Sequence, residues 1–169
     1  MLTVGGLDDR VKCVVSQVPL TSGSRTFEAW VPADKRAGFL ERLGKDRDAR
    51  RRGELPMKTE AANEGSETAD WMTRKDVNGV YVNEITLRTF DLLRTYEPMS
   101  FVPRIAPTPL MMIIASDDTT TPTAWQHDTF DLAGAPRKLV EIKCRHYDVY
   151  MDKLDEAAQA ALGWYQEHL

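Results

Sequence analysis

Two polar residues that could carry out acid–base chemistry follow two apolar runs in the second half of the chain. Asp118 opens the sequence Asp-Thr-Thr-Thr-Pro shortly after the run Leu110–Ala115. His146 opens the sequence His-Tyr-Asp-Val-Tyr shortly after the run Leu139–Lys143. In a catalytic triad an acid orients the imidazole and stabilises its cation, while the second ring nitrogen takes the proton of the nucleophile. Asp118 and His146 are therefore candidates for the acid and the base of a triad.

The residues around this pair leave alternatives open. Asp117 stands beside Asp118, and either aspartate could instead cap the helix that follows Pro122. His146 could have a structural role. We predict neither a metal nor a cofactor, although a metal site could be drawn from four neighbouring side chains: Asp117, Asp118, His146 and Asp148.

Four other residues are candidates for a substitute nucleophile or for the lining of a pocket. Ser16 lies inside a predicted strand with no sharp turn, so we interpret it as a buried core serine. Cys144 could become a thiolate near His146, but it lies on the same strand end as the histidine and does not face the imidazole. Trp30 and Trp71 could line an acyl pocket, although packing is the commoner role for such residues.

The elements that must position the candidate pair are strands. Leu110–Ala115 is an unbroken apolar run of the length expected for a strand buried on both faces. The β-branched stretch Val11–Val18 and the run Leu139–Lys143 predict two more strands. Helical patterns follow the second and third strands, so the order predicts an α/β fold of about three parallel strands with flanking helices and right-handed crossovers. Ligands of open α/β sheets sit beyond the carboxyl ends of the strands, where the candidate pair lies.

The segment 21–100 contains helical patterns and no convincing strand. Helices are predicted from Asp34 to about Arg52, over Asp70–Lys75, and over Glu84–Thr95 with Asn83 as the N-cap. We interpret the segment as a mainly helical excursion between the first two strands.

Composition excludes several classes of protein. The 169 residues have a formal charge of −4, and this acidic balance argues against a nucleic-acid partner. No apolar run approaches the roughly 20 residues that a membrane span needs, and the N-terminal residues lack the pattern of a signal peptide. The two cysteines, Cys13 and Cys144, are too few for a disulfide framework. We therefore expect one domain, without a membrane partner, in a reduced cytoplasmic setting.

Five short segments, spread over nearly the whole chain, carry a family resemblance. They are Leu7–Lys12 leading into Val14–Pro19, Pro107–Leu110, Asp118–Pro122, His146–Tyr150 and Trp164–Leu169. In order and spacing they resemble the C-terminal half of an α/β-hydrolase. The resemblance is closest to the fungal branch related to Xaa-Pro dipeptidyl-peptidase-like (S15-type) hydrolases and to polyketide thiohydrolases or transferases.

The resemblance implies a triad in the chain order Ser…Asp…His, with Asp118 as the acid and His146 as the base. It favours Asp118 over Asp117 because the Asp-x-x-x-Pro spacing begins at Asp118. The implied activity is serine-dependent hydrolysis or acyl transfer on an ester, a thioester or an amide, with a small acyl compound as the substrate.

The same resemblance implies a domain plan. Residues 1–169 would form one partial α/β-hydrolase domain, with the core sheet and helices in 1–20 and 101–169. Residues 21–100 would form a helical lid-like insertion that shapes the acyl pocket.

Two departures from the family pattern stand out. The family's serine lies in a Gly-x-Ser-x-Gly elbow, which occurs nowhere in the 169 residues and would fall just before Met1. We therefore interpret the chain as a fragment that lacks the nucleophile, and the alternative is an inactive fragment or pseudoenzyme that acts as an interaction module. Cys144 replaces the family's usual glycine two residues before His146 and could crowd its turn. The strand over 11–18 would have an unpaired apolar edge, which predicts self-association.

Overall fold

The structure is a computed structural model that describes residues 1–74 and 81–169. Its strands are β1 (Val14–Gln17), β2 (Lys58–Thr59), β3 (Ile85–Thr86), β4 (Leu110–Ala115) and β5 (Arg137–Ile142). Its α-helices are α1 (Leu2–Gly5), α2 (Gly23–Trp30), α3 (Ala33–Arg51), α4 (Glu67–Met72), α5 (Arg88–Leu93), α6 (Thr123–Asp131) and α7 (Leu154–His168). Short 3₁₀ helices cover Pro98–Arg104 and His146–Tyr150.

The described chain divides into two compact units. The first unit combines Met1–Ser22 with Glu97–Leu169, and the second is Gly23–Tyr96. The first unit holds a three-stranded parallel sheet in the order β1-β4-β5, and the second holds the antiparallel pair β2-β3. The role of a lid for residues 21–100 stays a prediction.

Strand β4 is the centre of the first unit, and all six of its residues are buried. Alternate side chains enter two different clusters, as the two-residue period of a strand requires. Met111, Ile113 and Ala115 pack on one face with Trp164 of α7. The opposite face is packed against α1, the 3₁₀ helix Pro98–Arg104 and α6 through a second cluster, which contains Leu2, Val102, Ile105, Leu110, Met112, Ile114 and Ala133. The unbroken apolar run is explained by this burial on both faces.

The neighbouring strands are paired with β4 in parallel register. Val14 lies opposite Leu110, and Ala115 lies opposite Ile142. Strand β1 is shorter than the predicted Val11–Val18, and β5 begins two residues before the predicted start at Leu139. Among the strands of the described residues, β1 pairs with β4 alone and so forms one edge of this sheet.

The second unit has its own small core around an aromatic cluster. Phe39 lies edge-on to Phe27 and Phe90, with ring centroids 5.8 and 5.0 Å apart, respectively. Helix α3 is fixed through Asp46, whose buried carboxylate accepts hydrogen bonds from Arg50 Nε at 2.8 Å and from the Met57 backbone N–H at 2.7 Å. The unit is thus held by apolar packing and by a partly buried ion pair.

Two expectations for the second unit are wrong, and a third is tested only in part. We expected no strand in residues 21–100, but the segment contains the antiparallel pair β2-β3. Each of these strands is only two residues long, which is too short to produce a periodic sequence pattern. Asn83 does not cap a helix: its side chain accepts hydrogen bonds from the backbone N–H groups of Ala61 and Ala62. The C-terminal end of the predicted helix Asp70–Lys75 lies outside the described residues.

Among residues 1–74 and 81–169, no helix combines the length and the apolar character that crossing a bilayer requires.

Candidate active site

The carboxyl ends of the three parallel strands meet at one edge of the sheet, and short backbone hydrogen bonds extend the pairing past the strand ends. The Val18 N–H donates to the Ile113 carbonyl at 2.8 Å, and the Ser116 N–H donates to the Ile142 carbonyl at 2.9 Å. The Asp117 N–H donates to the Cys144 carbonyl at 3.0 Å. These bonds hold the loop after β4 beside the loop after β5, which is the arrangement that the sequence predicts.

Asp118 and His146 are in direct contact at this edge. His146 Nδ1 lies 2.8 Å from Asp118 Oδ2, and the side chain of Asp118 is fully buried. Oδ2 also accepts hydrogen bonds from Thr121 Oγ1 at 2.8 Å and from Gln126 Nε2 at 3.0 Å. Oδ1 accepts from the backbone N–H groups of Thr120 at 2.9 Å and Thr121 at 2.8 Å. Five donors therefore converge on one carboxylate.

These donors decide the charge of Asp118. Burial by itself would raise the pKa of the Asp118 carboxyl, but the hydrogen bond and the charge of His146, together with the two bonds from Thr121, lower the pKa below its usual range. The group is therefore an ionised carboxylate that can only accept hydrogen bonds. His146 Nδ1 must then carry a proton and donate it.

The second nitrogen of the His146 ring is left as a base. With a proton on Nδ1, the neutral imidazole has a lone pair on Nε2. The His146 side chain is 11% exposed, and among the described residues Nε2 has no hydrogen-bond partner. The ring is bordered by Tyr147, whose centroid is 4.6 Å away, and by Tyr150 at 6.4 Å. The arrangement can take a proton from a hydroxyl group that approaches Nε2.

The other carboxylates of the region are used elsewhere. Asp117 has a side chain that is 47% exposed and pairs with Lys143 Nζ at 2.7 Å. Asp148 accepts a hydrogen bond from the Arg145 backbone N–H at 2.9 Å and caps the 3₁₀ helix. The metal site that could be drawn from Asp117, Asp118, His146 and Asp148 therefore does not assemble. In residues 1–74 and 81–169, no group of three or more His, Cys, Asp or Glu side chains is arranged to hold a metal ion.

The substitute nucleophiles are in structural positions. Ser16 is buried in the middle of β1 opposite Met112. Cys144 is buried in the cluster that contains Trp164, and burial followed by the charge of Asp148 raises the pKa of its thiol. A protonated thiol is a poor nucleophile. The side chain of Cys144 also leaves the contact between Asp118 and His146 intact.

Sequence reasoning missed Thr121 and Gln126. Thr121 lies in the Asp-Thr-Thr-Thr-Pro motif, so its hydroxyl could have been suspected from the tendency of such turns to bond back to the aspartate. Gln126 is fully buried in α6, one helical turn before the core residue Phe130. A polar residue on the packing face of a helix indicates a buried hydrogen bond, but the sequence does not show which group accepts that bond.

The tryptophans named as possible pocket residues have different positions. Trp30 lines a cavity of about 370 Å³ within the second unit, together with Phe39 and Phe90. Trp71 is not among the lining residues of this cavity. Neither Asp118 nor His146 lines this cavity.

Comparisons with known proteins give the fold and a set of relatives. A polyketide transferase of Gibberella fujikuroi is 29% identical over 88% of this chain and 48% of its own length. The crystal structure of the α/β hydrolase GrgF from Penicillium sp. sh18 matches 99% of this chain with a TM-score of 0.82 and 25% identity, over 59% of its own length. DcsB, solved in complex with its substrate analogue, matches 99% of this chain and 60% of that chain with a TM-score of 0.80 and 22% identity. No family model matches the sequence.

The predicted fold class is confirmed: the chain has an α/β-hydrolase-like fold, with three parallel strands flanked by helices. It spans about half the length of the curated polyketide transferases it matches. Three of these relatives are named polyketide transferases. The finer resemblance to Xaa-Pro dipeptidyl-peptidase-like hydrolases stays a prediction.

The buried carboxylate predicts how stability depends on pH. Because the pKa of Asp118 is lowered in the folded chain, its contribution is fully present above the ordinary value of about 3.9 and is lost as the pH falls through the folded value. Replacing Asp118 by Asn should reduce the free energy of unfolding by about 2 kcal/mol at pH 7. In urea unfolding the difference from the unsubstituted chain should shrink at acid pH.

Asp117→Asn is the matched control, since Asp117 is the adjacent residue and forms only a surface ion pair. It should change the free energy of unfolding by about 0.5 kcal/mol or less. A cost for Asp118→Asn that grows as the pH falls would contradict the assignment of an ionised Asp118.

Proposed function

We propose that this chain supplies the acid and the base of an acyl-transfer site, with Asp118 as the acid and His146 as the base. The observation that carries the proposal is the 2.8 Å contact between a buried carboxylate and an imidazole whose Nε2 is unpaired among the described residues. The contact lies at the carboxyl ends of parallel strands, where open α/β sheets bind their ligands. The proposed substrate is a small ester, thioester or amide.

The proposed chemistry follows from the proton positions. His146 Nε2 removes the proton of a serine hydroxyl as its oxygen attacks the carbonyl carbon of the substrate. The imidazole becomes an imidazolium, which the Asp118 carboxylate stabilises through the Nδ1–H bond. Nε2 then returns the proton to the leaving alcohol, thiol or amine, and an acyl-serine remains. A water or an acceptor hydroxyl repeats the steps in reverse and releases the acyl group.

The nucleophile is proposed to come from a segment outside these 169 residues. The sequence contains no Gly-x-Ser-x-Gly elbow, and the buried Ser16 is unsuited to the role. The names of the relatives suggest that the acyl group is a polyketide and that it is transferred to an acceptor.

A chimaera tests this proposal. This chain would replace the matched region of GrgF, so that the rest of GrgF supplies the remainder of the fold, and release of p-nitrophenol from p-nitrophenyl esters would be followed. We expect turnover in the chimaera. Because a positioned general base contributes a factor of about 10² to 10⁴, His146→Ala should lower the rate by that factor, and Asp118→Asn should lower it in the same direction.

Asp117→Asn is the control for the chimaera. Because Asp117 is exposed and pairs with Lys143, this substitution should leave turnover unchanged. Full turnover in either the Asp118→Asn or the His146→Ala chimaera would refute the assigned roles. The 169-residue chain by itself should not be labelled by a fluorophosphonate, and covalent labelling would refute the proposal that the serine lies elsewhere.

A second candidate function, that of a non-enzymatic interaction module, is favoured by the edge of the sheet. In a parallel ladder alternate residues bond to the partner strand. Since the N–H groups of Val14 and Val18 bond to the β4 side, those of Val15 and Gln17 face away from it. Charged residues and proline discourage an edge strand from pairing with another chain. Next to β1 such residues are limited to Lys12 before the strand and Pro19 after it. We propose that the β1 edge pairs with a second copy of the chain.

Sedimentation velocity over a range of concentrations measures this pairing. The unsubstituted chain should associate as its concentration rises, and Gln17→Lys should shift it towards the monomer because a charged edge resists strand pairing. Leu132→Lys, which replaces an exposed leucine at the end of α6, is the control and should not alter the association. A monodisperse monomer of the unsubstituted chain at every concentration would contradict the proposal.

A further inference from the structure

We infer that Gln126 is a positioning residue, whose carboxamide holds the Asp118 carboxylate in the orientation that receives His146. The inference rests on the proposed function for its importance to catalysis, but its physical content concerns only this chain. Gln126 lies on α6, has no solvent exposure, and lies eight residues after Asp118 in the sequence.

The amide nitrogen of Gln126 joins two points of the loop after β4. Nε2 lies 3.0 Å from Asp118 Oδ2 and 2.6 Å from the backbone carbonyl oxygen of Thr121. An amide nitrogen carries two hydrogens, so it can donate to both oxygens at once. The bonds tie the carboxylate and the loop that carries it to the same side chain of α6.

The orientation of the Gln126 amide is fixed by its partners. The Thr121 carbonyl can only accept a hydrogen bond, so the atom that faces it at 2.6 Å must be the amide nitrogen and not the amide oxygen. The same nitrogen therefore also faces Asp118 as a donor. A donor at Oδ2 favours the carboxylate over the protonated acid.

The other groups around the Asp118 carboxyl also favour its ionised form. Gln126 Nε2, His146 Nδ1 and Thr121 Oγ1 all approach Oδ2 within 3.0 Å. A protonated Asp118 carboxyl would place its hydrogen against donors on one oxygen or against backbone N–H groups on the other. Gln126 Nε2 and the two backbone N–H groups can only donate, so each of them opposes a hydrogen on the carboxyl oxygen that it faces.

A second observation argues against a role in stability alone. The Gln126 side-chain oxygen, Oε1, is buried, and among the described residues it has no hydrogen-bond partner. An unsatisfied buried amide oxygen reduces stability, and an apolar residue of similar shape would avoid that cost. We conclude that Gln126 occupies the position for what its nitrogen does to Asp118.

The test measures the ionisation of Asp118 in the 169-residue chain by carbon-13 NMR. Gln126→Met keeps the length of the side chain and removes the donor, while His146 and Tyr150, the titratable groups whose charges act on Asp118 or sense it, stay in place. The pKa of Asp118 should rise by about one unit, because a hydrogen bond to a charged group is lost. An unchanged titration of Asp118 in folded Gln126→Met would overturn the inference.

Thr129→Val is the matched control. Thr129 is fully buried one turn further along α6, and its hydroxyl donates to the Trp125 carbonyl at 2.7 Å, with no bond to Asp118. This substitution also removes a buried side-chain donor, here a hydroxyl group, yet it should leave the titration of Asp118 unchanged. An equal shift in Thr129→Val would show that the effect is a general loosening of the helix and would overturn the inference.

Gln126→Glu keeps the test decisive if the methionine variant does not fold. A glutamate at this position would put two carboxyl groups about 3 Å apart, and such a pair retains one proton well above the usual carboxyl range. Ordinary titration of both carboxyls would overturn the inference. If the chimaera has no esterase turnover but the pKa of Asp118 shifts as expected, the positioning role stands and the acyl-transfer proposal fails.

Discussion

The candidate site depends on the burial of one negative charge. A carboxylate with no exposed surface is costly unless donors replace the water that it loses. Asp118 receives five such donors, two from the backbone of its own loop and three from side chains of its loop, of α6 and of the loop after β5. These five donors keep Asp118 ionised. The ionised carboxylate in turn favours a hydrogen bond donated by His146 Nδ1. The negative charge of Asp118 therefore determines that Nδ1 of the His146 ring faces the carboxylate and carries the proton.

The sheet makes this set of donors possible because it brings distant segments together. The positions of Asp118 and His146 are separated by α6 and β5, yet parallel pairing of β4 with β5 puts both strand ends at one edge. The burial of β4 on both faces fixes this pairing, since a shift by one residue would move its side chains into the wrong clusters. The apolar core and the polar site are therefore consequences of one strand register.

Much of this could be predicted from the sequence, for identifiable reasons. The strand Leu110–Ala115 could be predicted because a run of six apolar residues between Pro109 and Ser116 has the length of a buried strand and is short for a helix. The contact between Asp118 and His146 could be predicted because each residue follows such a run, and their catalytic roles stay a prediction. By contrast, the strand pair β2-β3 and the bonds of Asn83 connect segments more than twenty residues apart with no local pattern. Gln126 lies only eight residues after Asp118, but the sequence does not show that its side chain faces the carboxylate, and only the fold reveals this contact.

The central claim is that an ionised Asp118 fixes one tautomer of His146, with the proton on Nδ1 and a free lone pair on Nε2. Nitrogen-15 NMR of the imidazole, recorded well above the ordinary histidine pKa of about 6.5, reports which nitrogen carries the proton. We expect Nδ1 to be protonated and Nε2 to be unprotonated, and we expect Asp118→Asn to remove this preference. A His146 that carries its proton on Nε2 in the unsubstituted chain would show that Asp118 does not set the tautomer.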